Sequence, residues 1–222
     1  MLSRRGQTGR MSIYDPRTPT QRPLTHVELG PGLGDALDRR LIGDIRGKRV
    51  LDLGCGGGHT GVGLALRGAR VIATDPDPGQ LFSARALATK NEIRVEFHQA
   101  NPAELAFIRA DQVDLVVSVW SLSLTADLDR VLRQLHRVMR SGGHLVLSLP
   151  HPASLCADPV DPSRNVQSWR SRDPIGERYV HTAEDVVTAL SRTNFTVDLL
   201  LERHAGGPMP ASLIVRARKV GI

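Results

Sequence analysis

Apolar and polar positions along the chain change their period several times, and the changes divide it into elements. Short apolar runs that read as strands occur at 49–53, 70–74, 93–97, 113–119 and 143–149, separated by stretches of helical length. Such alternation is the pattern of βαβ units, which build a parallel sheet with helices on its faces. The most regular helical pattern runs from Ala126 to Arg140, with Leu128, Val131, Leu132, Leu135, Val138 and Met139 on one face. Thr125 is expected to cap its start and Asp127 to suit its positive first turn, while Arg137, Arg140 and Gly142 suit its end. Leu37, Leu41, Ile42 and Ile45 recur at helical spacing, so Asp35 to Ile45 is predicted to be a helix leading into the sheet, ended by Gly47.

Two stretches break this rhythm. Residues 1–30 are rich in Arg, Pro, Thr and Gly without period and read as an irregular basic arm. Residues 151–181 contain four prolines and no sustained apolar period, so they read as a loop inserted after the fifth strand, a candidate substrate lid. Thr182 to Asp185 then offers a capping-box-like T-x-x-D before a helix carrying Val186, Val187 and Leu190. Phe195 to Glu202 and Ser212 to Arg218 read as a terminal antiparallel pair. The expectation is a doubly wound α/β domain over residues 31–222, with a seven-stranded, mostly parallel sheet and an antiparallel C-terminal strand. At 222 residues the chain suffices for one such domain and one active site.

Composition narrows the function classes. Apolar residues make up 41% of the chain, and no run approaches the roughly 20 that a membrane span requires. Cys55 and Cys156 have no paired spacing, so neither a disulfide framework nor a zinc ribbon is expected, and a cytoplasmic protein is. Arg4, Arg5 and Arg10 precede no apolar stretch, which argues against a secretory signal and an organellar presequence, and Met11 is an alternative start. The net charge of +6 comes from 26 Arg and 3 Lys against 23 acids, and half of the excess lies in residues 1–28. The remaining arginines are scattered without interleaved aromatics, which disfavours a nucleic-acid partner.

The candidate chemistry lies in V-L-D-L-G-C-G-G-G-H-T-G, Val50 to Gly61, where Gly54, Gly56, Gly57 and Gly58 stand between a buried strand and a helix. Glycines let the backbone approach a ligand, and a helix N-terminus supplies free N–H groups. Gly56 to Gly61 also fits the dinucleotide pattern G-x-G-x-x-G, so the loop alone fits two cofactors. Asp52 would meet a pyrophosphate as a like charge, whereas it would offset the sulfonium and ammonium of S-adenosylmethionine. Asp75, closing the second strand, is placed to accept bonds from ribose hydroxyls, and Asn101 beyond the third strand could bond an adenine edge.

These residues resemble the class I S-adenosylmethionine-dependent methyltransferases, in particular small enzymes of quinone biosynthesis and natural-product tailoring. The resemblance covers residues 46–150 and rests on D-L-G-C-G-G-G at 52–58, T-D at 74–75, N-P-A-E-L-A-F at 101–107, V-D-L-V-V-S at 113–118 and L-H-R-V-M-R-S-G-G at 135–143. It implies a Rossmann-like methyltransferase domain with S-adenosylmethionine bound by Asp52, Gly54, Gly56, Gly58, Asp75, Asn101 and Ser118. In that family the first acid and the glycines line the methionine end, and the acid after strand two binds ribose. The position of Asn101 is usually acidic and faces adenine, so Asn101 is a departure, and Ser141 replaces a common proline.

Methyl transfer from a sulfonium depends mostly on holding the acceptor in line, at roughly 3–3.5 Å. A hydroxyl acceptor gains from a general base, and His151 in S-L-P-H-P is the candidate because it follows the fifth strand. Trp120, Tyr179 and His181 are candidates for acceptor binding, Trp120 by stacking and the others by closing over the site. His59 reads as a helix-start residue, and His98, His136, His144 and His204 lack metal-ligand spacing, so no metal is expected. The leading expectation is methylation of a small-molecule acceptor at O, N or C. The alternatives are an RNA or protein methyltransferase, a non-catalytic cofactor-binding module and, last, a nicotinamide oxidoreductase. S-V-W-S at 118–121 lacks the signature of DNA amino-methyltransferases, and nothing in the pattern reads out an oligomeric state.

Overall fold

Seven strands form one sheet in the computed structural model, which describes residues 24, 26–30, 40–158, 160–161, 163–205 and 209–221. They are β1 (Arg49–Leu53), β2 (Arg70–Asp75), β3 (Val95–Gln99), β4 (Val113–Val119), β5 (Met139–Pro150), β6 (Phe195–His204) and β7 (Pro210–Lys219). Their spatial order is β3-β2-β1-β4-β5-β7-β6. β7 runs antiparallel to both its neighbours, and the other pairs are parallel. The chain steps outward from β1 to β3 and then returns to start β4 beside β1. This reversal places the carboxyl ends of β1 and β4 side by side, the crevice where ligands of open α/β sheets bind.

Side chains alternate across each strand, so β1 feeds two cores. Leu51 and Leu53 join a cluster completed by α3 (Leu128–Val138) and α5 (Ala183–Arg192). Val50 joins the other, with Leu64 of α1 (His59–Leu66) and Leu81 of α2 (Pro78–Lys90). Leu128, Val131, Leu132, Leu135 and Val138 of α3 are all buried, and full burial contributes roughly 1.5–3 kcal/mol for each such side chain. Val27, Leu29, Leu41, Ile42 and Ile45 extend the second cluster, and the Leu24 carbonyl lies where a Cβ on Gly63 would stand. The rest of the expected basic arm, and most of the helix expected from Asp35, lie outside the described residues; Arg40 to Ile42 are helical.

Element boundaries move for local reasons. A 3₁₀ turn at Ser121–Leu124 takes Thr125 as its C-cap, and α3 is capped instead by Asp127, whose Oδ1 accepts from the Arg130 amide at 2.9 Å. The same helix stops at Val138, because Met139 already pairs with Val113 in β5. Gly142, at φ +75°, therefore serves β5 rather than the helix end. β3 starts two residues later than its apolar run, since the Ile93 amide is spent on the Ala88 carbonyl at the end of α2.

The insert begins with α4 (Pro152–Cys156) and returns to the sheet end, where the Tyr179 amide donates to the Ser123 carbonyl at 2.7 Å. The expected capping box forms. Thr182 Oγ1 accepts from the Asp185 amide, and Asp185 accepts from the Thr182 amide. No helix among the described residues is long and apolar enough to cross a membrane. Thr182→Ala should lower unfolding stability by about 1 kcal/mol in urea titrations, with ligand binding at the glycine loop unchanged.

Candidate functional site

The site is built where β1, β2 and β4 end. After Leu53 the chain turns through Gly54, Gly56 and Gly58, with φ of +73°, +51° and +88°. The Gly54 and Cys55 amides both donate to the Thr74 carbonyl at 2.8 Å, which folds the loop back over β2. A Cβ on Gly54 would overlap the Ser121 side chain, and one on Gly58 would come within 2.7 Å of Ala84 Cβ. The glycines thus combine a left-handed backbone with packing too close for side chains.

Two carboxylates meet under this loop. Asp75, closing β2, accepts from the Gly56 amide at 2.9 Å with Oδ2 and from the Asp77 amide at 3.0 Å with Oδ1. Carboxylate oxygens carry further lone pairs, so acceptor capacity for a hydroxyl remains. Asp52 is 1% exposed, and its Oδ2 has no hydrogen-bond partner. Burial pushes its pKa up to about 8; the Gly61 amide opposes this, and the charge of Asp75 adds to it. A buried acid of this kind is relieved by a cation. The arrangement fits S-adenosylmethionine, whose reactive end is cationic and free of phosphate, and it disfavours a pyrophosphate.

The other expected residues divide. Ser118 is fully buried; its Oγ lies 2.6 Å from Ser121 Oγ, which in turn donates to the Leu53 carbonyl at 2.7 Å. Ser118 thus belongs to a link between the ends of β4 and β1. Asn101 stands at the correct sheet end, exposed, with Oδ1 accepting from the Ala103 amide at 3.0 Å. Its Nδ2 is the part that could face an adenine edge.

Three residues expected on the acceptor side are engaged by other partners. His151 is 6% exposed; its Nδ1 accepts from the Ala153 amide at 3.1 Å and its Nε2 lies 3.0 Å from Glu202 Oε1. With one nitrogen capping α4 and the other donating to a carboxylate, it has no lone pair for an acceptor proton. Trp120 is 5% exposed within the core, and the Arg178 guanidinium lies over its ring at 5.6 Å, where a stacked acceptor was expected. His181 is buried and its Nε2 donates to the Thr125 carbonyl at 2.8 Å, while burial lowers its pKa and keeps it neutral. It holds the turn from below instead of closing over the site. Tyr179 is half-buried beside it, with ring centroids 6.5 Å apart. Sequence reasoning missed Arg178 and Glu202, whose roles depend on partners 55 and 51 residues away. Among the described residues no group of three or more His, Cys, Asp or Glu could hold a metal ion.

Asp52 makes the site sensitive to pH. The folded form keeps a proton that the unfolded chain releases between pH 3.8 and about 8. Stability without ligand should therefore fall as pH rises through that window. Asp52→Asn should remove this component of the melting-temperature profile. In titration calorimetry, affinity for S-adenosylhomocysteine should rise with pH toward about 8. The variant should bind about tenfold more weakly, without that rise.

Residues 51–147 match the family described as methyltransferase domain. A ubiquinone biosynthesis O-methyltransferase of Azorhizobium caulinodans is 32% identical over 111 residues, 50% of this chain and 44% of that protein. One of Marinobacter nauticus is 33% identical over 137 residues, 61% of this chain and 56% of that protein. The chain spans about half the length of the curated relatives it matches. Among solved structures, an S-adenosylmethionine-dependent methyltransferase of Mesorhizobium loti superposes with a TM-score of 0.69 at 23% identity, covering 82% of this chain and 95% of that one, a likeness of fold. Strand order, glycine loop, paired carboxylates and the domain match agree in one likeness: residues 51–147 match a methyltransferase domain, and the chain is similar to the class I S-adenosylmethionine-dependent methyltransferases.

Proposed function

We propose that the protein transfers a methyl group from S-adenosylmethionine to an oxygen, nitrogen or carbon nucleophile of a small-molecule acceptor. The observation that carries this reading is the pair of carboxylates, Asp52 and Asp75, gathered under a glycine loop that approaches without side chains. In it Asp52, Gly54, Gly56 and Gly58 receive the methionine end, Asp75 the ribose and Asn101 the adenine edge, while Ser118 acts through Ser121 to hold the loop. When bound, S-adenosylmethionine supplies a methyl group already activated by its sulfonium. The chain's own contribution is placement, since in-line displacement gains most from orientation and from excluding water.

A small acceptor is supported by the segment from 151 to 181, which occupies the end of β5 and lies against the 3₁₀ turn after β4. The names of the relatives support it too, since ubiquinone biosynthesis methylates small molecules. With His151 committed to α4 and Glu202, no general base is assigned.

Titration of S-adenosylhomocysteine against NAD, followed by methyl transfer to a panel of phenols, catechols, amines and activated carbon acids, tests the reading. Binding of the first ligand alone, with turnover on one acceptor class, is expected. Binding without turnover across the panel would favour a cofactor-binding module, and tight NAD binding would overturn the reading altogether. His151→Asn, whose amide oxygen can replace Nδ1 as the N-cap acceptor, should change kcat by less than about threefold. Loss of a general base would cost roughly 10²–10⁴-fold.

A further inference from the structure

The carboxyl ends of β1, β2 and β3 hold the donor site; their amino ends hold a second arrangement that methyl transfer leaves unused. Arg49 opens β1 and Arg70 opens β2, and the two are direct register partners. Val71 pairs with Val95, so Arg94, one residue before β3, stands beside Arg70 in the same row. Residues in one row across a sheet point to one face, with neighbouring strands about 4.8 Å apart. The three arginines line a cleft of about 420 Å³ together with Ala69, Val71, Ile72 and Glu96.

Like charges on neighbouring strands repel, and carboxylates among the described residues do little to offset this row. Glu96 is the one carboxylate among the described residues that line the cleft, and its Oε1 is 2.7 Å from His98 Nε2. Asp114 lies close to Arg49 but accepts its backbone amide with one oxygen and Arg140 Nη1 with the other. The acceptors of the row's own guanidinium groups are neutral. Arg70 donates through Nε and Nη2 to the Gly47 carbonyl, and Arg49 Nη1 to Gln112 Oε1 at 3.4 Å. These bonds orient the two side chains without cancelling their charge. Arg94 is exposed, and its side chain makes no hydrogen bond or ion pair among the described residues.

We propose that this cleft binds the phosphate group of a small phosphate ester, at a site separate from the methyl-donor site and independent of the methyl-transfer reading. Guanidinium forks match phosphate oxygens in pairs, and three of them facing one carboxylate leave the charge a phosphate or diphosphate would neutralise. Ala69, Val71 and Ile72 form the apolar part of the lining and suit the body of the ester, and Glu96 can accept from a hydroxyl on it. The row spans about 10 Å across three strands, the reach of one or two phosphate groups. A polymer would need a longer charged track.

The test uses the full chain at low salt, with pyrophosphate, AMP and a single-stranded RNA of about ten nucleotides as probes in titration calorimetry. Pyrophosphate and AMP should bind and compete with each other. Arg94→Ala should weaken both by about tenfold and Arg94→Glu should abolish binding. Melting temperature and S-adenosylhomocysteine affinity should stay at wild-type values in both variants, which separates this site from the donor site. The proposal is overturned if wild type binds neither small probe, or if both variants bind them as wild type does. Binding of RNA alone, with affinity rising with its length, would assign the row to a nucleic-acid surface and overturn it equally.

Discussion

The site depends on a close approach at the switch point of the sheet, where Gly54 lies against Ser121 with no room for a Cβ between them. Ser121 Oγ donates to the Leu53 carbonyl and meets Ser118 Oγ, so the end of β1 is tied to the end of β4 through side chains. The loop amides at Gly54 and Cys55 tie the same point to β2 through the Thr74 carbonyl. Three strand ends are thereby locked in one place, and Asp52 and Asp75 are carried with them.

That lock allows an electrostatic strain to persist. A carboxyl group with an unpartnered oxygen in a packed interior raises its own pKa and weakens the fold as it ionises. The protein keeps Asp52 there, beneath an amide-rich loop and near Asp75. A cationic ligand converts the penalty into binding energy, so the cost of the empty fold and the affinity for the donor have one origin. The opposite ends of β1 and β2 and the residue before β3 are arginines, so these strands present acids at their carboxyl ends and bases at their amino ends.

The acceptor side is organised differently. Arg178 reaches Ser123 Oγ and covers Trp120, His181 holds the Thr125 carbonyl, and His151 joins α4 to β6 through Glu202. Side chains that look chemically versatile in isolation are here spent on fastening the 151–181 segment to the sheet.

Local pattern determined the seven strands, the doubly wound class and the capping box at Thr182, because each depends on residues within a few positions of one another, whereas the glycine loop alone fitted two cofactors and needed Asp52, Asp75 and the family resemblance beside it. Boundaries shifted where competing partners lie close by, as when Asp127 displaced Thr125 as the cap and Met139 left its helix to pair with Val113. Only the tertiary structure decided what His151, Trp120 and His181 do, since their partners come from other elements, as Glu202 does 51 residues away. The arginine row was equally hidden, because register between strands sets it and spacing along the chain does not. A histidine's chemistry is fixed by what its two nitrogens touch, and periodicity carries no record of that contact.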